Sequence, residues 1–260
     1  TNKVLYADPW KAADLLHGEI AAGDGTNSLW FGLDSAGKDR TIQEVVIATN
    51  TAGYKLTTLP APGLPNSTST ATLVFSNAVF TENDILRVDD EILEVASANG
   101  PTVTVERAQA GRAASAHATG SVVYAYSDVM CENLPVGTHP DRSISFKIKI
   151  ATNQLHQALG GFSAEFVPMP VLFDIPVDKD KYAAASANLV NCLVGSGGNV
   201  IFPDPGCKVF SDYFTNVVSS SQAVDLWVLH CDHGEIHCAT VAQRKLSTIT
   251  PWWKKTDNWE

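Results

Sequence analysis

The chain has 260 residues, 45% hydrophobic, 18% charged and 8% aromatic, a mixture with ample apolar surface to bury and one that argues against disorder. Single cores stop growing at roughly 250 to 300 residues, so the length suits one large β-rich domain or two ordinary ones, and two cores are expected. A formal net charge of -10 argues against direct nucleic-acid binding, which needs a basic face to neutralise phosphates, and no stretch approaches the roughly 20 apolar residues of a membrane helix.

The opening Thr1-Asn2-Lys3 lacks the basic-then-apolar run of a signal peptide, so synthesis in the cytoplasm is expected, with Thr1 read as a start left by removal of Met. The five cysteines, Cys131, Cys192, Cys207, Cys231 and Cys238, are an odd number in the second half of the chain. Reduced thiols rather than a disulfide framework are therefore expected.

In chain order, Asp8-Pro9 is a start signal for a helix whose apolar face is Trp10, Ala13, Leu15 and Leu16, closed by Gly23-Asp24-Gly25. Ser28 to Leu33 and Ile42 to Ala48 read as strands, the second rich in β-branched residues. Residues 57–70 combine three prolines with small polar residues. Proline has a fixed φ and no amide donor, so this stretch is expected to stay out of a sheet interior and to act as a linker.

From residue 71 short strands recur: Ala71 to Phe75, Ile85 to Val88, Glu91 to Ala96, Thr102 to Glu106 and Val122 to Tyr126. Asp89-Asp90 and Asn99-Gly100 suit tight turns, because Asn and Asp tolerate positive φ and Gly adopts it freely. After a boundary near Asn133 to Gly137, Ser143 to Ile150 alternates as a half-exposed strand. A Pro-punctuated stretch from Phe166 to Pro176 follows, then a helix from Lys181 to Val194 ending at Gly195, a strand from Val224 to Leu229, and an aromatic tail from Pro251.

The expected class is α+β, mainly β. A β-rich region over 1–56 precedes the linker; a small β-barrel or sandwich occupies 71–130, and a mixed α/β region occupies 137–260.

The run from Ile85 to Val95, the hairpin Asn99 to Gly111 and the closing segment Ala116 to Tyr124 resemble a module recurring in bacteriophage virion proteins. It consists of an acidic turn, a hairpin with an Arg at its exit, a small-residue loop containing Ala116-His117-Ala118 and a closing apolar strand. In the loop from Ala108 to Gly120, small residues let backbones approach, and Arg107 and His117 are expected to anchor it by hydrogen bonds. The resemblance implies a repeated subunit of a tail, neck or capsid surface. Its partners would be copies of itself and other virion proteins, with no membrane or direct nucleic-acid contact.

A second resemblance lies near the end. His233 to Thr240, Gln243-Arg244-Lys245 and Trp252-Trp253, preceded by Asn188 to Asn191 and Phe202 to Gly206, are similar to the nucleophile segment of protein-arginine deiminases. That likeness implies Cys238 as the nucleophile, His139 as acid/base and Asp141 as guanidinium anchor, with calcium as the accompanying ion. Such chemistry needs an activated thiol and a carboxylate for the guanidinium's donors. The family's Gly after the Cys is Ala239 here, its Asn is Val241, and Pro140 separates His139 from Asp141.

His230, Cys231, Asp232, His233, His237 and Cys238 superficially resemble a zinc cluster. On a strand, however, alternate residues face opposite sides, so only part of the set converges. The structural reading is preferred because the β module lacks no residue, whereas the enzyme lacks a first Asp and a full-length propeller; no cofactor is then needed. Trp252, Trp253 and Trp259 are candidates for an interface, where aromatic side chains dominate.

Overall fold

The computed structural model describes residues 2–26, 28–33, 39–66, 69–77, 79–159, 163–173 and 184–226. β1 (Asn2–Asp8) leads into α1 (Pro9–Ala22), followed by β2 (Ser28–Leu33), β3 (Asp39–Thr41) and α2 (Ile42–Val46). The strands β4 (Thr49–Asn50), β5 (Gly53–Tyr54), β6 (Leu56–Thr58), β7 (Thr70–Val74), β8 (Ile85–Val88), β9 (Glu91–Asn99), β10 (Thr102–Glu106) and β11 (Val122–Ala125) come next. The remainder is α3 (Asp128–Asn133), α4 (Ile144–Ala158), β12 (Ala164–Pro170), β13 (Leu193–Val194), β14 (Val200–Pro203), α5 (Lys208–Val217) and β15 (Ser221–Val224). The class is α+β with strands predominating, as expected.

The centre is a curled six-stranded antiparallel half-barrel in the order β6-β11-β8-β9-β10-β7. Its hairpins follow from local chemistry. Val88 pairs with Glu91 across Asp89-Asp90, with Asp89 at φ 48, and Asn99 pairs with Thr102 across Gly100-Pro101, with Gly100 at φ 59. These positive φ values suit Asp and Gly. The proline-rich stretch does not divide two sheets: its two ends lie in β6 and β7, which form the two edges of this one.

The two hydrophobic cores lie on opposite faces of that sheet. Leu86, Val88, Leu93, Val95, Val103, Val105, Val123 and Ala125 fill the concave core. Ile85, Ile92 and Tyr124 point the other way, into a core shared with α1, α2, α3 and α5. Beside the half-barrel, β1 pairs in parallel with β12, while β13, β14 and β15 form a small three-stranded sheet.

Three local expectations are corrected. Ser143 to Ile150 is not a strand. Ser143 caps α4 by accepting from the Phe146 amide at 3.2 Å, with Ile144 buried and Ile148 and Thr152 half-buried along one stripe. The alternating letters also satisfy an i, i+4, i+8 spacing, and the cap decides between them.

Ile42 to Val46 is likewise helical despite its β-branched residues. Glu44 N donates to Thr41 Oγ1 at 3.2 Å, and Thr41 N donates to Glu44 Oε2 at 2.5 Å. This reciprocal capping box starts the turn, and Ile42, Val45 and Val46 bury its i, i+3, i+4 face.

Ala184 to Val194 is not helical; Lys181 lies outside the described residues. Ser186 Oγ accepts from Leu172 N at 3.4 Å, and Asn188 Oδ1 accepts from Val190 N at 3.0 Å. The Asn188 bond to a nearby amide offers the backbone a local alternative to the helix, and the Ser186 bond ties the segment to a distant part of the chain.

Candidate functional site

β8 and β9 bring an acidic turn against the small-residue loop, and the contact is made by buried charge. Glu91 opens β9 and Arg107 follows β10; both side chains are fully buried. Arg107 grips the carboxylate in a fork, Nε donating to Oε1 at 2.9 Å and Nη2 to Oε2 at 2.6 Å. The Ala108 amide adds a bond to Oε1 at 3.2 Å, the Ser115 amide one to Oε2 at 3.1 Å, and His117 Nε2 lies 2.8 Å from Oε2. Five nitrogens thus surround one carboxylate. Burial alone pushes the Glu91 carboxyl up, but Arg107, the two amides and His117 outweigh it and hold the group below its usual value.

The same guanidinium ties down two chain segments. Arg107 donates to the Ser115 carbonyl at 2.5 Å and to the Pro65 carbonyl. Leu64 and His117 exchange backbone hydrogen bonds of 2.9 and 3.0 Å, so the proline-rich stretch lies against the loop. His117 Nδ1 also faces Asp89 Oδ2 at 2.7 Å. The expected anchoring by Arg107 and His117 is therefore present.

A second cluster joins the loop and half-barrel to α1. Arg87, 1% exposed, donates to Tyr126 Oη at 3.1 Å and the Asp89 carbonyl at 2.6 Å, and pairs with Asp14 at 2.9 Å. Arg112 from the loop shares Asp14 at 2.9 Å, and its guanidinium stands 4.4 Å over the Trp10 ring. Nearby, His17 Nδ1 lies 3.1 Å from Tyr124 Oη. The two clusters meet at Asp89, which offers its carbonyl to one and its carboxylate to the other.

The loop itself turns through positive φ at Ala108, Ala110 and Gly111, and the clamp holds it in that conformation. Its outer surface presents exposed Ala113, Ala116 and Ala118. Opposite it, Gly63 has φ +88, and a Cβ there falls 2.4 Å from the His117 carbonyl oxygen. Gly63→Ala is expected to cost about 1–3 kcal/mol, through strain and displacement of the loop. Urea unfolding of the two proteins checks this; equal midpoints defeat the close-packing account.

His139 and Asp141 flank Pro140 at an exposed 3-10 turn (Pro140–Arg142). Cys238 and the Trp252, Trp253 and Trp259 interface candidates lie outside the described residues, as do His230, Cys231, Asp232, His233 and His237. Among the described residues the free thiols are not activated: burial pushes Cys131 and Cys207 up to about 12 and raises Cys192. No group of described residues is arranged to hold a metal ion.

Glu91, Arg87 and Asp14 were not among the sequence candidates. The available signals were an Arg set among aliphatics in Ile85-Leu86-Arg87-Val88 and a Glu opening an apolar strand. A charge in such a setting is buried only when paired.

No protein-family model matches this chain, and no curated protein is significantly similar to it.

Proposed function

We propose that this chain is a structural subunit of a bacteriophage particle, at the tail, neck or capsid surface. It acts by assembling with copies of itself and other particle proteins. The observation that carries the proposal is the clamp of Glu91, Arg107 and His117 beneath an outward-facing loop of small residues. A buried ion pair adds little net stability over an apolar replacement, and one attested use is to impose a unique conformation. Here the imposed conformation is that of a surface loop, where shape matters to whatever docks on it.

Two further features favour assembly. Among the described residues β7 is an edge strand of the half-barrel with Val74 58% exposed, and α4 displays Phe146 and Ile150 at 39% and 46%. Unpaired edges and exposed apolar side chains are surfaces that a neighbour covers.

The test is light scattering of the purified chain together with antibody labelling of purified particles. Self-association and labelled particles are expected. Ala116→Arg, on the loop's exposed crest, should weaken association while leaving the melting temperature unchanged. A strictly monomeric chain and unlabelled particles defeat the proposal.

A further inference from the structure

The register of β7 against β10 fixes which of its backbone groups are already bonded. In an antiparallel pair, hydrogen-bonded and non-hydrogen-bonded residue pairs alternate along the ladder. Arg107 N donates to the Ser69 carbonyl and Phe75 N to the Pro101 carbonyl, each at 2.9 Å, and between them Thr70, Thr72 and Val74 stand opposite Glu106, Thr104 and Thr102. By that alternation Ala71 and Leu73 bond to β10, whereas Thr70, Thr72 and Val74 direct both N–H and C=O away from it. Among the described residues no strand pairs with β7 on that side. Such a row of backbone groups is a template for another strand.

The strand also lacks the usual protection of an edge. Natural edges are blunted by charged side chains, by Pro, by bulges or by being very short. The opposite edge, β6, spans only Leu56–Thr58 and runs into Leu59-Pro60. In contrast, β7 has no charged residue, no Pro and no slip in its register with β10. No charged residue occurs anywhere from 56 to 81, in a chain whose net charge is -10. Two copies of an acidic protein meet most favourably where like charges are absent, and this run supplies such a place.

We propose that β7 pairs antiparallel with β7 of a second copy, about a two-fold axis at Thr72. The pairing rests on the assembly role proposed above and gives it a contact and a symmetry. With Thr72 opposite its own equivalent and Thr70 opposite Val74, every outward N–H of one copy meets an outward C=O of the other, as an isologous contact requires. The side chains suit this register on both faces. Thr70, Thr72 and Val74 are exposed, Val74 at 58%, and all are β-branched, the type that packs well across paired strands. On the concave face Ala71 of one copy lies opposite Leu73 of the other, small against large. Half-buried Ala71 is thereby covered, and the core of Leu73, Val103 and Val105 runs on into the second sheet.

Sedimentation velocity and amide-resolved hydrogen exchange on the full chain test this. The parent should pass from monomer to dimer as its concentration rises. The amides of Thr70, Thr72 and Val74 should gain protection with the dimer, while those of Ala71 and Leu73 are protected in both states. Thr72→Pro should weaken the pairing at least about tenfold, since it deletes an outward donor in each copy. It should melt near the parent, because that N–H makes no bond to β10 and an edge strand tolerates Pro facing outward. Thr72→Lys and Thr72→Glu should each weaken pairing by placing like charges opposite one another. Mixed in equal amounts, those two variants should pair again, as the meeting of the two Thr72 positions on the axis demands.

A chain that stays monomeric overturns the pairing, as do Thr70, Thr72 and Val74 amides already protected in the monomer; antibody-labelled particles would then still uphold the assembly role. Association that all three variants leave intact, or a mixture that does not recover, also overturns the pairing and leaves assembly to another contact.

Discussion

Glu91→Ala should lower the free energy of unfolding by about 3–5 kcal/mol, the typical cost of removing one member of a buried ion pair. The substitution strands the Arg107 guanidinium, which is fully buried, and takes the acceptor from the Ala108 and Ser115 amides and from His117. An unpaired buried charge is far more costly than an absent one. Glu91→Leu combined with Arg107→Met should therefore recover much of the loss, while releasing the loop from Ser115 and Pro65. Urea unfolding of the single and double variants checks both statements. A single-variant loss below about 1 kcal/mol is what a solvent-exposed pair would show, and would contradict the burial described.

Acidification should weaken the fold well above the range where carboxylates titrate, and His17 should be responsible. Burial of its imidazole, followed by the nearby Arg87 charge, pushes its pKa from 6.5 down to about 4, against opposing pulls from Asp89, Asp90 and Asp14. The folded state thus takes up this proton only near pH 4, whereas the unfolded chain takes it up near 6.5. Between those values the unfolded state binds more protons, so stability falls as pH falls. The full effect is on the order of 3 kcal/mol, with about 2 kcal/mol of it between about pH 7 and pH 5.

Glu91 contributes in the same direction but lower down. Its folded pKa is depressed below 4.5, so its stabilisation is present above that value and lost as pH falls through the folded one. Unfolding curves at about pH 7 and pH 5 therefore bracket the His17 window, above that of Glu91. His17→Gln should flatten the difference; an unchanged slope in that variant would assign the effect elsewhere.

Much of the fold is written locally. Asp8 and Gly23 bound α1 as read, the first accepting from the Trp10 and Lys11 amides and the second adopting φ 86. The hairpins of β8, β9 and β10 follow from Asp89-Asp90 and Gly100-Pro101. Where two local signals competed, pattern alone misled. The alternation from Ser143 to Ile150 is compatible with both periods, and Thr41 with Glu44 made a helical turn of a β-branched run.

The candidate site was only half legible. Arg107 and His117 stood out in a loop of small residues, but their common acceptor, Glu91, lies 16 and 26 positions away. Asp14 is farther still from Arg112, at a separation of 98. Composition and turn chemistry determined that this chain is α+β, mainly β, and where its hairpins fold back, because backbone φ preferences and capping act over a few residues. Tertiary structure alone decided which charges share a buried acceptor and that the two cores lie on either side of one sheet. Desolvation and packing depend on what the rest of the chain brings alongside.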